Sequence, residues 1–256
     1  MIEIHDLVKC YDGKTAVDHL SLAVGAGEWL VFAGPNGSGK TTTIKILAAL
    51  AAPTSGAVRV AGHDVTRRPV EVKRSIGYLP EDLSAFGYLT GLEYLHVIAA
   101  CHDLAPGIER DRAERLIDLF DLRDYRQTLV RTYSVGLSRR LTLAGALLPD
   151  PPILLLDEPT ANLDPESAYL VRQVLRGLVE RGRTVFMSTH LLTSAEKDAS
   201  RVAFIKEGKL LLDRSLPALR ESFPGDDLET IFLRVTEQKG EERVRAFLDG
   251  VPRVER

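Results

Sequence analysis

The chain has 256 residues, 45% of them hydrophobic, enough to bury a full core as one large domain or two lobes. A formal net charge of −3 leaves no general basic footprint for nucleic acid. No stretch approaches the ~18 apolar residues of a membrane span, Glu3, His5 and Asp6 open the chain unlike a signal peptide, and Cys10 and Cys101 lack metal-type spacing. These features predict a reduced, cytosolic chain that does not itself cross a membrane.

In chain order, Ile2 to Ile4, Ala16 to Val24 and Trp29 to Ala33 read as short strands, with turns at Asp12-Gly13 and Gly25-Ala26-Gly27 between them. A glycine-rich loop follows, then a helix-like segment from Thr41 to Leu50. The turn Pro53-Thr54-Ser55-Gly56 leads to strands at Ala57 to Ala61 and Ser75 to Leu79, the latter ending at Pro80. From Gly91 to Arg126 the apolar positions recur at helical spacing. Ile153 to Leu156 is short and wholly apolar, the pattern of a central parallel strand buried on both faces. A helix starts near Pro165, and Val185 to Ser188 and Arg201 to Ile205 predict further strands before a hairpin-type turn at Glu207-Gly208-Lys209. The tail after Gly240 is charged, is helical in pattern from Glu241 to Leu248, and carries no legible chemistry.

The loop is the most informative segment. Gly34-Pro35-Asn36-Gly37-Ser38-Gly39-Lys40-Thr41 fits G-x-x-x-x-G-K-[ST] and stands between a predicted strand and a predicted helix. Glycines let the backbone wrap a phosphate and aim N–H groups inward, and the helix start adds donors and a positive dipole end. Lys40 would neutralise β/γ-phosphate oxygens, and the Thr41 hydroxyl would ligate Mg²⁺. The segment predicts a nucleoside triphosphate site. The guanine-reading N-K-x-D pattern does not occur, which counts against a GTPase.

Asp157-Glu158-Pro159 narrows the chemistry. A carboxylate at the end of a central strand beside a phosphate loop can hold Mg²⁺ through water, and the next can polarise a water for attack on the γ-phosphate. Taken alone, such a pair is more often a solvated strand end; with the loop upstream it predicts hydrolysis.

With these residues in place the chain resembles the ATP-binding cassette (ABC) ATPases over about residues 1–236. Tyr11 stands where the family stacks an aromatic on adenine, and the phosphate loop runs from Gly34 to Thr42. Glu81 occupies the place of the Q-loop glutamine, and Tyr133-Ser134-Val135-Gly136-Leu137 that of the signature motif, usually L-S-G-G-Q. Asn162-Leu163-Asp164 looks like the D-loop and His190 like the switch histidine. The resemblance implies an α/β fold of the P-loop NTPase class: a RecA-like mixed core, an antiparallel β subdomain, and a helical subdomain inserted at about 82–150. Residues 237–256 would form a short tail.

The resemblance also implies a mechanism. Two copies, identical or different, would pair head to tail around two ATP molecules. Ser134 and the Gly136 backbone of one copy would then face the phosphate loop of the other. Glu158 would be the general base, His190 would contact the γ-phosphate, Asp164 would communicate across the interface, and Thr41, Glu81 and Asp157 would serve Mg²⁺. Tyr78-Leu79-Pro80-Glu81 and Leu89 to Leu95 resemble the drug and antibiotic exporter branch, where glutamate often takes the Q-loop place. The expected partner is therefore a transmembrane permease subunit that holds the protein at the inner face of the membrane. The alternative is a non-transport cassette ATPase acting on the ribosome or nucleic acid; such relatives usually carry two cassettes or a long coiled-coil insert, and no heptad insert occurs here. Val135 replaces the first signature glycine, and Leu137 to Arg139 lack the usual glutamines, which predicts slow intrinsic ATPase activity.

Overall fold

A computed structural model describes residues 1–80, 86–192 and 198–236. Glu81 and the tail from 237 to 256 lie outside the described residues. Two sheets organise the chain. The first is antiparallel, in the order β2-β1-β4-β5, and comprises β1 (Ile2–Tyr11), β2 (Lys14–Val24), β4 (Ser55–Val60) and β5 (His63–Asp64). The second runs β10-β9-β3-β8-β7-β6, comprising β3 (Trp29–Ala33), β6 (Ile76–Leu79), β7 (Ile153–Asp157), β8 (Thr184–Thr189), β9 (Arg201–Lys206) and β10 (Lys209–Ser215). Its neighbours are parallel except for the β9–β10 hairpin.

The central strands are apolar over most of their length because both faces are covered, with polar residues at the ends of β7 and β8. Along β3, Leu30 and Phe32 point into a core shared with the antiparallel sheet and α1 (Lys40–Leu47). Trp29, Val31 and Ala33 point into the opposite core. The period of two that a strand imposes thus sorts one apolar run into two cores. Phe32 meets Phe186 of β8 at 5.3 Å between ring centroids, tying neighbouring strands on one face.

The opposite core receives the helices α3 (Gly91–Cys101), α4 (Pro106–Leu119), α5 (Val135–Leu147), α6 (Pro165–Glu180), α7 (Leu216–Ser222) and α8 (Leu228–Val235); the short α2 (Pro69–Arg74) packs its Val72 into the first core. The region expected to be helical from Gly91 to Arg126 holds two helices. Thr90 and Glu93 form a reciprocal capping box at the start of α3, and Asp103, at φ 54°, turns the chain before Pro106 opens α4. Register then decides where a ligand can sit: Ala33 pairs with Thr189, Asp157 with Ser188 and Leu79 with Leu156. The carboxyl ends of four parallel strands therefore finish side by side, the edge where open α/β sheets bind ligands.

Candidate nucleotide site

The phosphate loop leaves the end of β3. Gly39 has φ 105°, a conformation that favours glycine, and a Cβ there would fall 2.4 Å from the Ala16 carbonyl oxygen. At Gly34 a Cβ would lie 2.1 Å from the Ile205 carbonyl oxygen. Two of the motif's glycines are thus required by the loop's seat on β2 and β9, independently of any ligand. Lys40 opens α1 and is only 6% exposed. Its Nζ donates to the carbonyls of Gly34 at 2.8 Å and Pro35 at 3.1 Å, so the ammonium curls over its own loop. Burial lowers its pKa, a push opposed by the nearby Glu158 and Asp157 carboxylates.

The other half of the cluster comes from β7 and β8. Asp157 is 2% exposed, and one of its carboxylate oxygens accepts a hydrogen bond from the Ser188 hydroxyl. The second oxygen, Oδ2, is buried without a hydrogen-bond partner, as is the Ser38 hydroxyl. A buried carboxylate oxygen left unpaired is costly unless a cation or donor completes it. That orphan, beside a loop built for phosphate, fits Mg²⁺ held through Asp157 with the Thr41 hydroxyl as a second oxygen. Ser188 also accepts from the Glu158 N–H at 3.0 Å. Glu158 has φ 51°, a left-handed conformation costing about 1–2 kcal/mol for a residue with a side chain. The strained backbone directs its carboxylate to His190 Nδ1, at 2.9 Å from Oε1, and to Lys40 Nζ, at 3.9 Å.

These groups face a cavity of about 590 Å³, lined also by Ala16, Asn36, Gly37, Gly39, Thr41, Thr42, Val135, Arg139, Ala161 and Asn162. The structure thus brings together Lys40, Thr41, Asp157, Glu158 and His190. Tyr11, Ser134, Gly136 and Asp164 are not among the described lining residues. Tyr11 ends β1, half-exposed, with the Lys9 ammonium 4.6 Å from its ring centroid. Ser134 caps α5 by accepting from Leu137 N at 3.2 Å, and Asp164 caps α6 by accepting from Ser167 N at 2.9 Å and its hydroxyl at 2.6 Å. Those Ser167 hydrogen bonds lower the Asp164 pKa. A Cβ on Gly136 would meet only the Asn162 carbonyl oxygen and a Leu163 methyl carbon, at 3.6 Å or more, so that surface is open.

Two residues given no role from the sequence join the site. Ser188 bridges the two acidic residues, and nothing in the pattern Ser188-Thr189-His190 marks it beyond its place before the histidine. Arg139 is 8% exposed, and a helical arginine carries no sequence signal of burial.

A strand-ended Asp-Glu pair, a lysine-tipped phosphate loop and a histidine on the glutamate define a P-loop nucleotide hydrolase. The family comparison identifies which: the ABC transporter model matches residues 17–161, and the chain belongs to that family as an ATP-hydrolysing cassette. It is 42% identical over 221 residues to the daunorubicin/doxorubicin resistance ATP-binding protein of Streptomyces peucetius, covering 86% of this chain and 67% of that one. It is 36% identical over 231 residues to the Nod factor export ATP-binding protein I of Paraburkholderia xenovorans, covering 90% of this chain and 76% of that one. A solved ATP-binding subunit of an ABC transporter superposes at a TM-score of 0.86 with 26% identity, over 92% of this chain and 99% of that one. A dimeric cassette in a post-hydrolysis state with ADP and Pi gives 0.78, also at 26% identity, over 84% of this chain and 99% of that one. Among the described residues no helix is long and apolar enough to cross a membrane.

Proposed function

We propose that this chain is the ATPase subunit of a membrane exporter, pairing head to tail with a second cassette and docking beneath a transmembrane permease at the inner face of the membrane. The observation that carries the catalytic part is the Glu158 carboxylate, 2.9 Å from His190 Nδ1 and on the strand end beside the orphaned Asp157 Oδ2. Glu158 accepts the proton of an attacking water, and His190 holds the carboxylate and contacts the γ-phosphate. Lys40 leaves its loop carbonyls for phosphate oxygens, and the N–H groups from Gly37 to Thr42 cradle the β-phosphate. Mg²⁺, when bound, neutralises charge shared by the β- and γ-phosphates. Tyr11 stacks on adenine. Ser134 and the Gly136 N–H complete the opposite copy's γ-phosphate site, Asp164 communicates across that interface, and Glu81 would serve Mg²⁺ with Thr41 and Asp157.

Export is the direction suggested by the relatives' names, drug resistance and Nod factor export. Those names favour transport over the ribosome or nucleic-acid alternative. In this reading residues 1–236 form the ATPase domain, about 82–150 its inserted helical part, and 237–256 a tail.

Mg-ATP hydrolysis, with size exclusion in ATP, tests the reading. Lys40→Ala and Glu158→Gln should each lower turnover at least about 100-fold, and Glu158→Gln should elute as an ATP-bound dimer. Turnover surviving in Glu158→Gln, or a monomer at saturating ATP, would remove the base or the sandwich respectively.

A further inference from the structure

Arg139 has a geometry that the mechanism above does not use. It lies in the second turn of α5, the helix that Ser134 caps, yet it is buried against the nucleotide cavity. Its Nη1 donates to the Pro80 carbonyl at 3.2 Å and to the Asp157 carbonyl at 3.3 Å. One guanidinium therefore joins three elements: α5, the exit of β6 just before position 81, and the exit of β7 at the residue with the orphaned carboxylate oxygen. Burying a guanidinium is unfavourable unless its donors are satisfied, and α5 already fills its core with Leu137, Leu141 and Leu143. Packing alone gives no reason for a charge here. Hydrogen bonds from a cation to two backbone carbonyls fix position as well as energy, because the guanidinium presents its donors in a rigid fork.

We infer that Arg139 is a positioning residue: it clamps the backbone of Asp157 and the end of β6 to α5 and so sets the carboxylate that receives the cation. The inference rests on Asp157 holding that cation. The same helix carries Ser134, so a shift of α5 moves the Asp157 carboxylate of its own site together with the group offered to a second copy. The link to phosphate chemistry runs through Asp157, whose carbonyl accepts from Arg139 Nη1. The neighbouring Arg140 makes a natural comparison. Its Nη1 donates to the Phe120 carbonyl at 3.1 Å, which anchors α5 to the end of α4 away from the acidic pair.

The test is Mn²⁺ affinity of the purified full chain in the presence of a non-hydrolysable ATP analogue, read from the EPR signal of free Mn²⁺. It is measured beside Mg-ATP turnover, thermal melting, and analogue affinity in EDTA. Arg139→Met, of similar length but without donors, should weaken Mn²⁺ about tenfold, the lower end of what loss of a group orienting a metal ligand costs, with metal-free analogue affinity unchanged. Arg139→Lys keeps the charge and one donor centre and should fall between Arg139→Met and wild type. Arg140→Met should lower the melting temperature and leave Mn²⁺ affinity at the wild-type value. Wild-type Mn²⁺ affinity in a folded Arg139→Met protein, or an equal loss in Arg140→Met, overturns the inference. If Arg139→Met does not fold, Arg139→Lys decides alone: undiminished affinity overturns the clamp. A wild-type chain that binds the analogue but no Mn²⁺ would instead remove the Asp157 cation role.

Discussion

The two halves of the proposed composite site are built in opposite ways. In the half made by the phosphate loop and the ends of β7 and β8, Lys40 and Asp157 are sunk, and the more open Glu158 and His190 lean on one another at their edge. Lys40 is 6% exposed and Asp157 2%, with Ser188 and His190 cross-linking the acidic pair. In the half made by the starts of α5 and α6, Val135 is 63% exposed, and the Ser134 and Asp164 side chains accept hydrogen bonds from residues of their own helix starts. The first half holds its geometry within one chain. The second has helix N-termini whose capping residues are exposed, and in the proposed sandwich it would act only when another surface arrives. Under the proposed pairing, the contrast separates what one copy would do, bind and orient nucleotide, from what would require two.

Substitutions at three positions sharpen or break that contrast. The largest effect belongs to the sunken half. His190→Ala removes the group 2.9 Å from Glu158 and should lower Mg-ATP turnover about 100-fold with nucleotide affinity little changed. Steady-state kinetics paired with equilibrium binding of a fluorescent ATP analogue would separate the two. Full turnover without the imidazole would reduce His190 to an ordinary partner of a strained glutamate.

An intermediate effect is expected at Ser134. Ser134→Ala loses the α5 cap, worth about 1 kcal/mol, which corresponds to a fall of about 3 °C in melting temperature for a chain of this size. If the hydroxyl also serves a second copy, turnover should drop about tenfold, the scale of one hydrogen bond in the transition state, with single-copy nucleotide binding unaffected. Asparagine restores a cap without restoring the hydroxyl. Ser134→Asn should therefore recover stability but not turnover; recovery of both would make Ser134 a cap and nothing more.

The same contrast explains what the sequence could and could not reveal. Trp29 to Ala33, Ile153 to Leu156 and Val185 to Ser188 were legible because strands covered on both faces need unbroken apolar runs. Lys40, Asp157, Glu158 and His190 were legible because each sits at the end of such a run or in the glycine loop. At the start, the sequence pattern marks only Ile2 to Ile4 as a strand. It extends to Tyr11, but irregularities after Ile4 and Leu7 and a positive φ at Asp6 scramble the alternation that marks a strand. Arg139 was invisible for a different reason. Helical periodicity assigns arginine to solvent, and the approach of two carbonyls from distant strands is part of what makes burial tolerable. Contacts between elements far apart in sequence leave no local trace.

The smallest expected effect concerns Asp164 and reads the exposed half through pH. Hydrogen bonds from the Ser167 side chain and backbone hold its folded pKa below the ordinary carboxylate value of about 3.9. Above that value both folded and unfolded states carry the charge, and the cap's contribution is fully present. As pH falls toward the folded pKa, the unfolded chain takes up the proton first, and the contribution is lost. Stability should thus rise with pH across this acid window. Asp164→Asn keeps a capping oxygen but removes the titration, so its denaturant midpoint should change less steeply as pH falls below the ordinary carboxylate value than that of wild type. The slope should shrink without vanishing, because Asp64, Glu93 and Asp227 are lowered by hydrogen bonds of the same kind. An unchanged slope would mean that Asp164 does not hold its Ser167 bonds in the isolated protein, and the α6 terminus would then be ordered only by whatever it faces.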